Sequence, residues 1–387
     1  MSLSQLPNQQ LFVRPGISEL GWGHPDPALL PVAAIQAAAQ TALVDYGQLA
    51  LAYGAEQGPG RLIAALQERM FRLEGTAPPA TSLMISGGIS HALDMLCAHL
   101  SQPGDVVLVE APTYHLALRI FRDRGLQFVA VPGDAEGMQV EAAAAQLTAL
   151  HATGRRVAFI YVVSSFGNPS GAVLSATRRA ALGALAQAAQ IPVIEDEAYA
   201  ELWYNAPPPP AIGRFRPGAP VIRVGSFAKI LAPGLRLGWI QADPALIQRC
   251  TAAGVLDSGG GVNHLTTHLL ASLIEQGALD QHVAQVRAAW QTRRDALLDG
   301  LASALPSSCH WHTPQGGYFV WVRLPPGTNT TALLPHAEAA GVSYLPGERF
   351  FAAGGGQAWL RLSFSLLPAD ALRNAAQRLG QVVQRQC

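Results

Sequence analysis

The stretch SFAKILAPGLRLGW, residues 226–239, contains Lys229. Of the 26 lysines and arginines in this 387-residue chain, it is the only lysine. Arginine stays protonated under working conditions, whereas a lysine loses its proton when its surroundings lower its pKa. Only the neutral amine can attack a carbonyl and form a Schiff base. A coding bias against lysine explains why arginine supplies the other positive charges, but not where a surviving lysine lies. Lys229 is therefore the first candidate for covalent chemistry.

Three further segments carry groups suited to a site. In LMISGGISHALDMLCAHL (83–100), Ile89, Ala92, Leu93, Leu96, Cys97 and Leu100 fall at helical spacing and predict a helix from about Ile89. Gly87 and Gly88 precede it and Ser90 lies in its first turn, so free N–H groups and the helix dipole favour an anion such as phosphate. The segment is not a GxGxxG, and glycines also serve ordinary turns. In VIEDEAYAELW (193–203) a β run ends in Glu195, Asp196 and Glu197, followed by Tyr199. Alternation points Glu195 and Asp196 to opposite faces, so that one acid can enter a site while the other stays solvated. An ordinary acidic strand end accounts for the same pattern. In SSFGNPSG (164–171), Asn168 offers a donor and an acceptor within an Asn-Pro turn, which turn chemistry alone also explains.

The elements that must position these groups alternate along the middle of the chain. DVVLVE (105–110), VAFIYVV (157–163), PVIED (192–196), VIRVGSF (221–227) and GWIQA (238–242) read as strands, with helical stretches such as 176–190 between them. That pattern predicts an α/β fold with a mostly parallel sheet covered on both faces. Ligands in such folds gather beyond the carboxyl ends of the strands. Towards the C-terminus, WHTPQGGYFVWVRLP and WLRLSFS read as strands and ADALRNAAQRLGQVVQ as a closing amphipathic helix, which suggests a smaller α+β domain. APPPP (206–210) reads as a rigid surface loop. No internal repeat is visible.

Composition narrows the functional classes. Charged residues make up 13% of the chain and hydrophobic ones 49%, and the formal net charge is +0. No basic field is available to draw in nucleic acid or an anionic membrane. The N-terminus lacks the basic start and apolar core of a signal peptide, and no apolar run is long enough to span a bilayer. Cys97, Cys250, Cys309 and Cys387 form no CxxC pair and read as reduced thiols. These features suggest a cytoplasmic protein.

Together and in this order, the motifs resemble the fold-type I pyridoxal-phosphate enzymes, in particular the class I/II aminotransferases. SFAKILAPGLRLGW is similar to the lysine motif of the branch containing 2-aminoadipate and kynurenine aminotransferases and the aminotransferase-like domain of MocR-type regulators. The resemblance runs from about Gly21 to the C-terminal helix. It implies a seven-stranded, mostly parallel sheet sandwiched by helices. Residues 1–45 would form an N-terminal arm and part of the small domain, 46–280 the large cofactor-binding domain, and 281–387 the C-terminal small domain.

The same resemblance implies a role for each matching residue. Lys229 would form the Schiff base with pyridoxal 5'-phosphate and shuttle a proton, with Asp196 pairing with the ring nitrogen. Tyr199 and Asn168 would hydrogen-bond the ring hydroxyl oxygen and Tyr114 would stack on the ring. Gly88, Ile89, Ser90, Ser226 and Arg236 would hold the phosphate, and Tyr53 that of a neighbouring subunit. Arg361, with Asn168, would bind the substrate α-carboxylate, and Gly23 lies in the loop that covers the site. The implied reaction transfers an α-amino group between an L-amino acid and a 2-oxo acid, in a homodimer with shared active sites. Another pyridoxal-phosphate reaction on an α-amino acid (elimination, racemisation, decarboxylation or oxidation) uses the same cofactor residues. A regulatory module without turnover is disfavoured, because a match starting near Gly21 leaves no room for a preceding DNA-binding domain.

Ser164, Ala228 and His91 depart from the family pattern at positions often occupied by proline, serine, and glutamine or glutamate. They are expected to tune cofactor affinity. Trp22, Tyr318 and Phe319 suggest apolar walls. His264 and His268 lie one helical turn apart, and His310 and His312 on one side of a possible strand. Neither pair has a third ligand nearby, so surface or interface histidines are expected and no metal. Asn263 and His264 lie where this family approaches the partner's cofactor.

Overall fold

The computed structural model describes Gln10 and residues 12–386. A short strand, β1 (Ser18–Glu19), precedes the helices Val32–Tyr46 and Gly60–Glu74. The main sheet comprises β2 (Leu83–Ser86), β3 (Val106–Ala111), β4 (Gln127–Asp134), β5 (Gly137–Met138), β6 (Val157–Val163), β7 (Val193–Asp196), β8 (Val221–Ser226) and β9 (Gly238–Gln241). Their order across the sheet is β2-β9-β8-β7-β6-β3-β4-β5. Strands β4, β3, β6, β7 and β8 run parallel. Two strands are reversed: β9, second from one edge, opposes both β8 and β2, so that β2 runs with the parallel set, and β5 opposes β4 at the other edge. The strands expected at 105–110, 157–163, 192–196, 221–227 and 238–242 fall on β3, β6, β7, β8 and β9.

The sheet has eight strands where seven were expected. Asp134 Oδ1 accepts from the Glu136 backbone N–H at 2.9 Å, an Asx turn that reverses the chain and pairs β5 with the end of β4. Both faces of the sheet are covered. Val107 and Val109 pack on the side of the helices Ile89–Leu100 and His264–Glu275. Val106 and Leu108 pack beneath Val140–Ala152 and Ala176–Ala189. Each fully buried aliphatic side chain of this kind contributes about 1.5–3 kcal/mol.

Alternation does set Glu195 and Asp196 on opposite faces, but Glu195 is not solvated. It is fully buried, accepting from Arg179 Nη1 and from the Ile212 N–H, each at 2.9 Å. Arg179 is itself buried and also donates to the Leu174 and Ser164 carbonyls and to Ser165 Oγ. Glu197 is held by Arg223. Removing one partner of a buried pair leaves an uncompensated charge, at about 3–5 kcal/mol. Arg179→Met should therefore lower the urea or thermal midpoint markedly, and an unchanged midpoint would show that the pair does not brace the sheet.

The smaller sheet contains β10 (His310–Trp311) and β11 (Phe319–Arg323). After β12 (Val342–Ser343), which pairs with β1 instead, it is completed by β13 (Leu345–Pro346) and β14 (Trp359–Ser363). Its antiparallel order is β10-β11-β14-β13. The helices Ala278–Ala304 and Ala369–Gln386 pack together behind it. The β1–β12 pairing and the Ser363 N–H bond to the Leu20 carbonyl (2.7 Å) lead residues 21–24 past the end of β14. That route places the N-terminal segment over the site. No described helix is long and apolar enough to cross a membrane. Cys97, Cys250 and Cys309 are buried, while Cys387 and residues 1–9 and 11 lie outside the described residues.

Candidate active site

Asn168, Asp196 and Ser226 sit at or just beyond the carboxyl ends of β6, β7 and β8, and Tyr114 follows β3. With Lys229 and Tyr199 they line one cavity of about 680 Å³. Gly88, Ile89, Ser90 and Arg236 line the same cavity at the start of the helix Ile89–Leu100. Gly88 has φ 88°, and a Cβ there would lie 3.2 Å from Arg236 Nη2, so a larger residue would crowd the arginine. Arg236 donates to the carbonyls of Gly87 (3.1 Å) and Pro233 (3.2 Å). Ser226 Oγ accepts from the Ala228 N–H at 3.1 Å. Helix N–H groups, a guanidinium and two hydroxyls thus converge on one end of the cavity, a donor set for a phosphate.

Lys229 Nζ donates to the Gly23 carbonyl at 2.7 Å, and the Lys229 carbonyl accepts from Tyr318 Oη at 2.7 Å. Burial, then the charges of Arg361 and Arg236, push the amine down to about 8. Asp196 is 2% exposed and accepts from Tyr161 Oη at 2.7 Å and from the Ala198 N–H at 3.0 Å. Burial raises its pKa to about 6. Burial likewise lifts Tyr114 to about 12 and Tyr199 well above the phenolic range. An acid held this way suits a cationic ring atom, which would draw it back to the ionised form.

Arg361, on β14, is 3% exposed. It donates to Asn168 Oδ1 (2.8 Å) and to the Gly21 carbonyl (2.6 Å), and its guanidinium lies over Phe319 at 4.0 Å and Phe350 at 5.1 Å. Its Nε has no partner, and no carboxylate among the described residues pairs with it. Burial lowers its pKa to about 10. A buried guanidinium with free donor capacity is a receptor for a planar anion.

Gly23 and Arg361 do not line the cavity themselves but bond to Lys229 and Asn168, which do, whereas the predicted site residue Tyr53 stands apart. It is 86% exposed and does not line this cavity. Two site residues escaped the sequence reading. Tyr161 lies within an otherwise aliphatic strand, its polar tip the only signal. His24 was passed over inside GWGHPDP. It lines the cavity, and burial with the charges of Lys229 and Arg361 lowers its pKa to about 4. Trp22 packs edge-on against His24. His268 is not a surface residue, being 6% exposed and packed on Tyr46, with its Nε2 3.3 Å from that of His264. No group of three metal-ligating side chains forms among the described residues.

The profile of the family Aminotransferase class I and II matches residues 18–379, and the chain belongs to that family. It is 34% identical over 371 residues to aromatic-amino-acid aminotransferase 1 of Thermococcus litoralis, covering 96% of this chain and 88% of that protein. It is 32% identical to the 2-aminoadipate transaminase of Thermus thermophilus, over 97% and 92% of the two chains. The kynurenine aminotransferase of Pyrococcus horikoshii, solved in complex with PMP, superimposes with a TM-score of 0.91 at 33% identity, over 96% and 91% of the chains. The fold is that of the fold-type I enzymes, the protein is an aminotransferase, and its cofactor is pyridoxal 5'-phosphate. The donor set above fits that group, with an amine for its aldehyde, a buried acid for its ring nitrogen and an N–H-rich end for its phosphate.

Proposed function

We propose that this aminotransferase takes amino donors with neutral, large apolar or aromatic side chains. The observation that carries the reading is the charge inventory of the cavity. Lys229, Asp196 and Arg236 are committed to the cofactor, and Arg361 is left for the α-carboxylate. The remaining wall includes His24, Pro25, Pro27, Leu30 and Leu116. His24 is neutral at working pH. Among the described residues no further cation lines the cavity, so a second carboxylate on the donor would be buried unpaired, which costs several kcal/mol. Relatives named for aromatic amino acids and kynurenine point the same way. Phenylalanine or tyrosine should exceed aspartate as donor by at least ~10-fold in kcat/KM, and an aspartate preference would refute this reading.

The chemistry supplied by bound pyridoxal 5'-phosphate is an electron sink conjugated to the substrate's α-carbon. Asp196, oriented by Tyr161 and Ala198, would keep a proton on the ring nitrogen. Tyr199 and Asn168 would hydrogen-bond its ring hydroxyl oxygen, and Tyr114 would lie against the ring. Gly88, Ile89, Ser90, Ser226 and Arg236 hold the phosphate. Lys229 would hold the group through its aldehyde and would move the proton at the substrate's Cα. Arg361 and Asn168 grip the α-carboxylate and so fix the Cα–H bond, while Gly23 receives the Lys229 amine.

The reading extends to a cytoplasmic homodimer in which exposed Tyr53 reaches the partner's phosphate, within a chain divided at about residues 45 and 280. Leu43, Val44, Leu49 and Leu51, exposed around Tyr53, supply an apolar surface for that contact. Sedimentation should give a dimer, and a fully active monomer on dilution would refute shared sites.

A further inference from the structure

A second cavity, of about 670 Å³, opens between the main sheet and the smaller one. It lies on the opposite face of the main sheet from Asp196. Glu110 shares its face of β3 with Val106 and Leu108, the side of Val193, whereas Asp196 shares its face of β7 with Ile194. Glu110 is 8% exposed, yet its carboxyl accepts no hydrogen bond and enters no ion pair among the described residues. It lies against the backbone of β4, where a Cβ on Gly133 would come within 2.8 Å of Glu110 Oε1. Burial, then the nearby charge of Asp134, raises its pKa to about 8. Arg178, the cation that acts on it, is already held by Asp134 through bonds of 2.5 and 2.7 Å and by the Gly137 carbonyl.

The facing wall is aromatic. Trp321 and Trp359 stack with centroids 5.3 Å apart and planes at 10°, brought together by the β11–β14 pairing. Indole faces attract cations more strongly than other rings do, and desolvation increases the attraction. The Arg323 guanidinium already lies 5.9 Å from the Trp359 ring. His312 also lines it, and among the described residues no lysine or arginine does.

We propose that this cavity is a binding site for an alkylammonium monocation, quaternary heads included, held by the Glu110 carboxylate against the Trp321–Trp359 pair. The Glu110 carboxyl opens into the cavity without a protein partner among the described residues, and a ligand cation would supply one. The cavity volume suits a small molecule. Such a ligand binds without touching Lys229, so it does not compete with the amino donor.

The test is calorimetric titration of the cofactor-loaded enzyme with choline, whose quaternary nitrogen cannot form a Schiff base. The comparator is 3,3-dimethylbutan-1-ol, its uncharged isostere. Choline should bind once per chain, and the alcohol at least ~10-fold more weakly. Glu110→Gln and Trp359→Ala should each weaken choline by ~10-fold or more while donor kcat/KM stays within about twofold. Absent saturable binding, equal affinity for the alcohol, unchanged affinity in Glu110→Gln, or displacement of choline by the amino donor would each overturn the proposal.

Discussion

Lys229→Ala should lose ~10³-fold or more in turnover while still retaining pyridoxal 5'-phosphate. The loss has two sources, since the variant lacks both the covalent attachment point and the positioned proton carrier. Acid–base transfer alone is typically worth ~10²–10⁴-fold. Retention follows because Asp196, Ser226, Gly88 and Arg236 line the cavity independently of the lysine. Arginine at 229 should rescue nothing, as it stays protonated. The wild-type amine adds a pH signature. Its pKa lies at about 8, and only the neutral amine reacts, so cofactor capture by the cofactor-free protein should quicken as pH rises through about 8. An unshifted lysine would not show that rise until its ordinary value of 10.5. Normal turnover by Lys229→Ala in steady-state assay would remove the lysine from the reaction.

Arg361→Lys should cut kcat/KM for amino acid donors by ~10–150-fold, or about 1.5–3 kcal/mol, chiefly through KM. Lysine keeps the charge but not the planar fork that grips a carboxylate at two points, nor the stacking on Phe319. Amines without a carboxylate never use that grip, so their rates should hardly change. The split between the two substrate types separates a lost clamp from a general loss of folding. Equal losses for both would place Arg361 outside carboxylate binding.

Much of this site is legible along the chain because each motif is local. Lys229 follows a strand, Asn168 forms a turn after another, and Asp196 ends a third, so β-periodicity alone locates them at the sheet's carboxyl edge. What alternation cannot supply is what covers a face. It set Glu195 opposite Asp196 but could not foresee Arg179, buried there by Ala176–Ala189 and bonded to five groups. The eighth strand rests on side-chain bonds around Asp134, from the Glu136 N–H, Gln139 and Arg178, in a segment too short for periodicity to register. Tyr161 is concealed by its aliphatic neighbours, and His24 by a loop with no repeating pattern. The Trp321–Trp359 pair exists only through strand pairing, as does the approach of Arg361 to Phe319.

Borohydride reduction of the resting enzyme followed by peptide mapping tests the central claim most directly. Reduction makes a Schiff base permanent, and Lys229 offers the sole ε-amine in the chain, leaving the N-terminal amine as the only other primary amine. The pyridoxyl label should appear on the peptide spanning residues 224–236, at one equivalent per chain, and vanish in Lys229→Ala. A label on any other peptide, or none on this one, would contradict the assignment of Lys229 as the cofactor's attachment point.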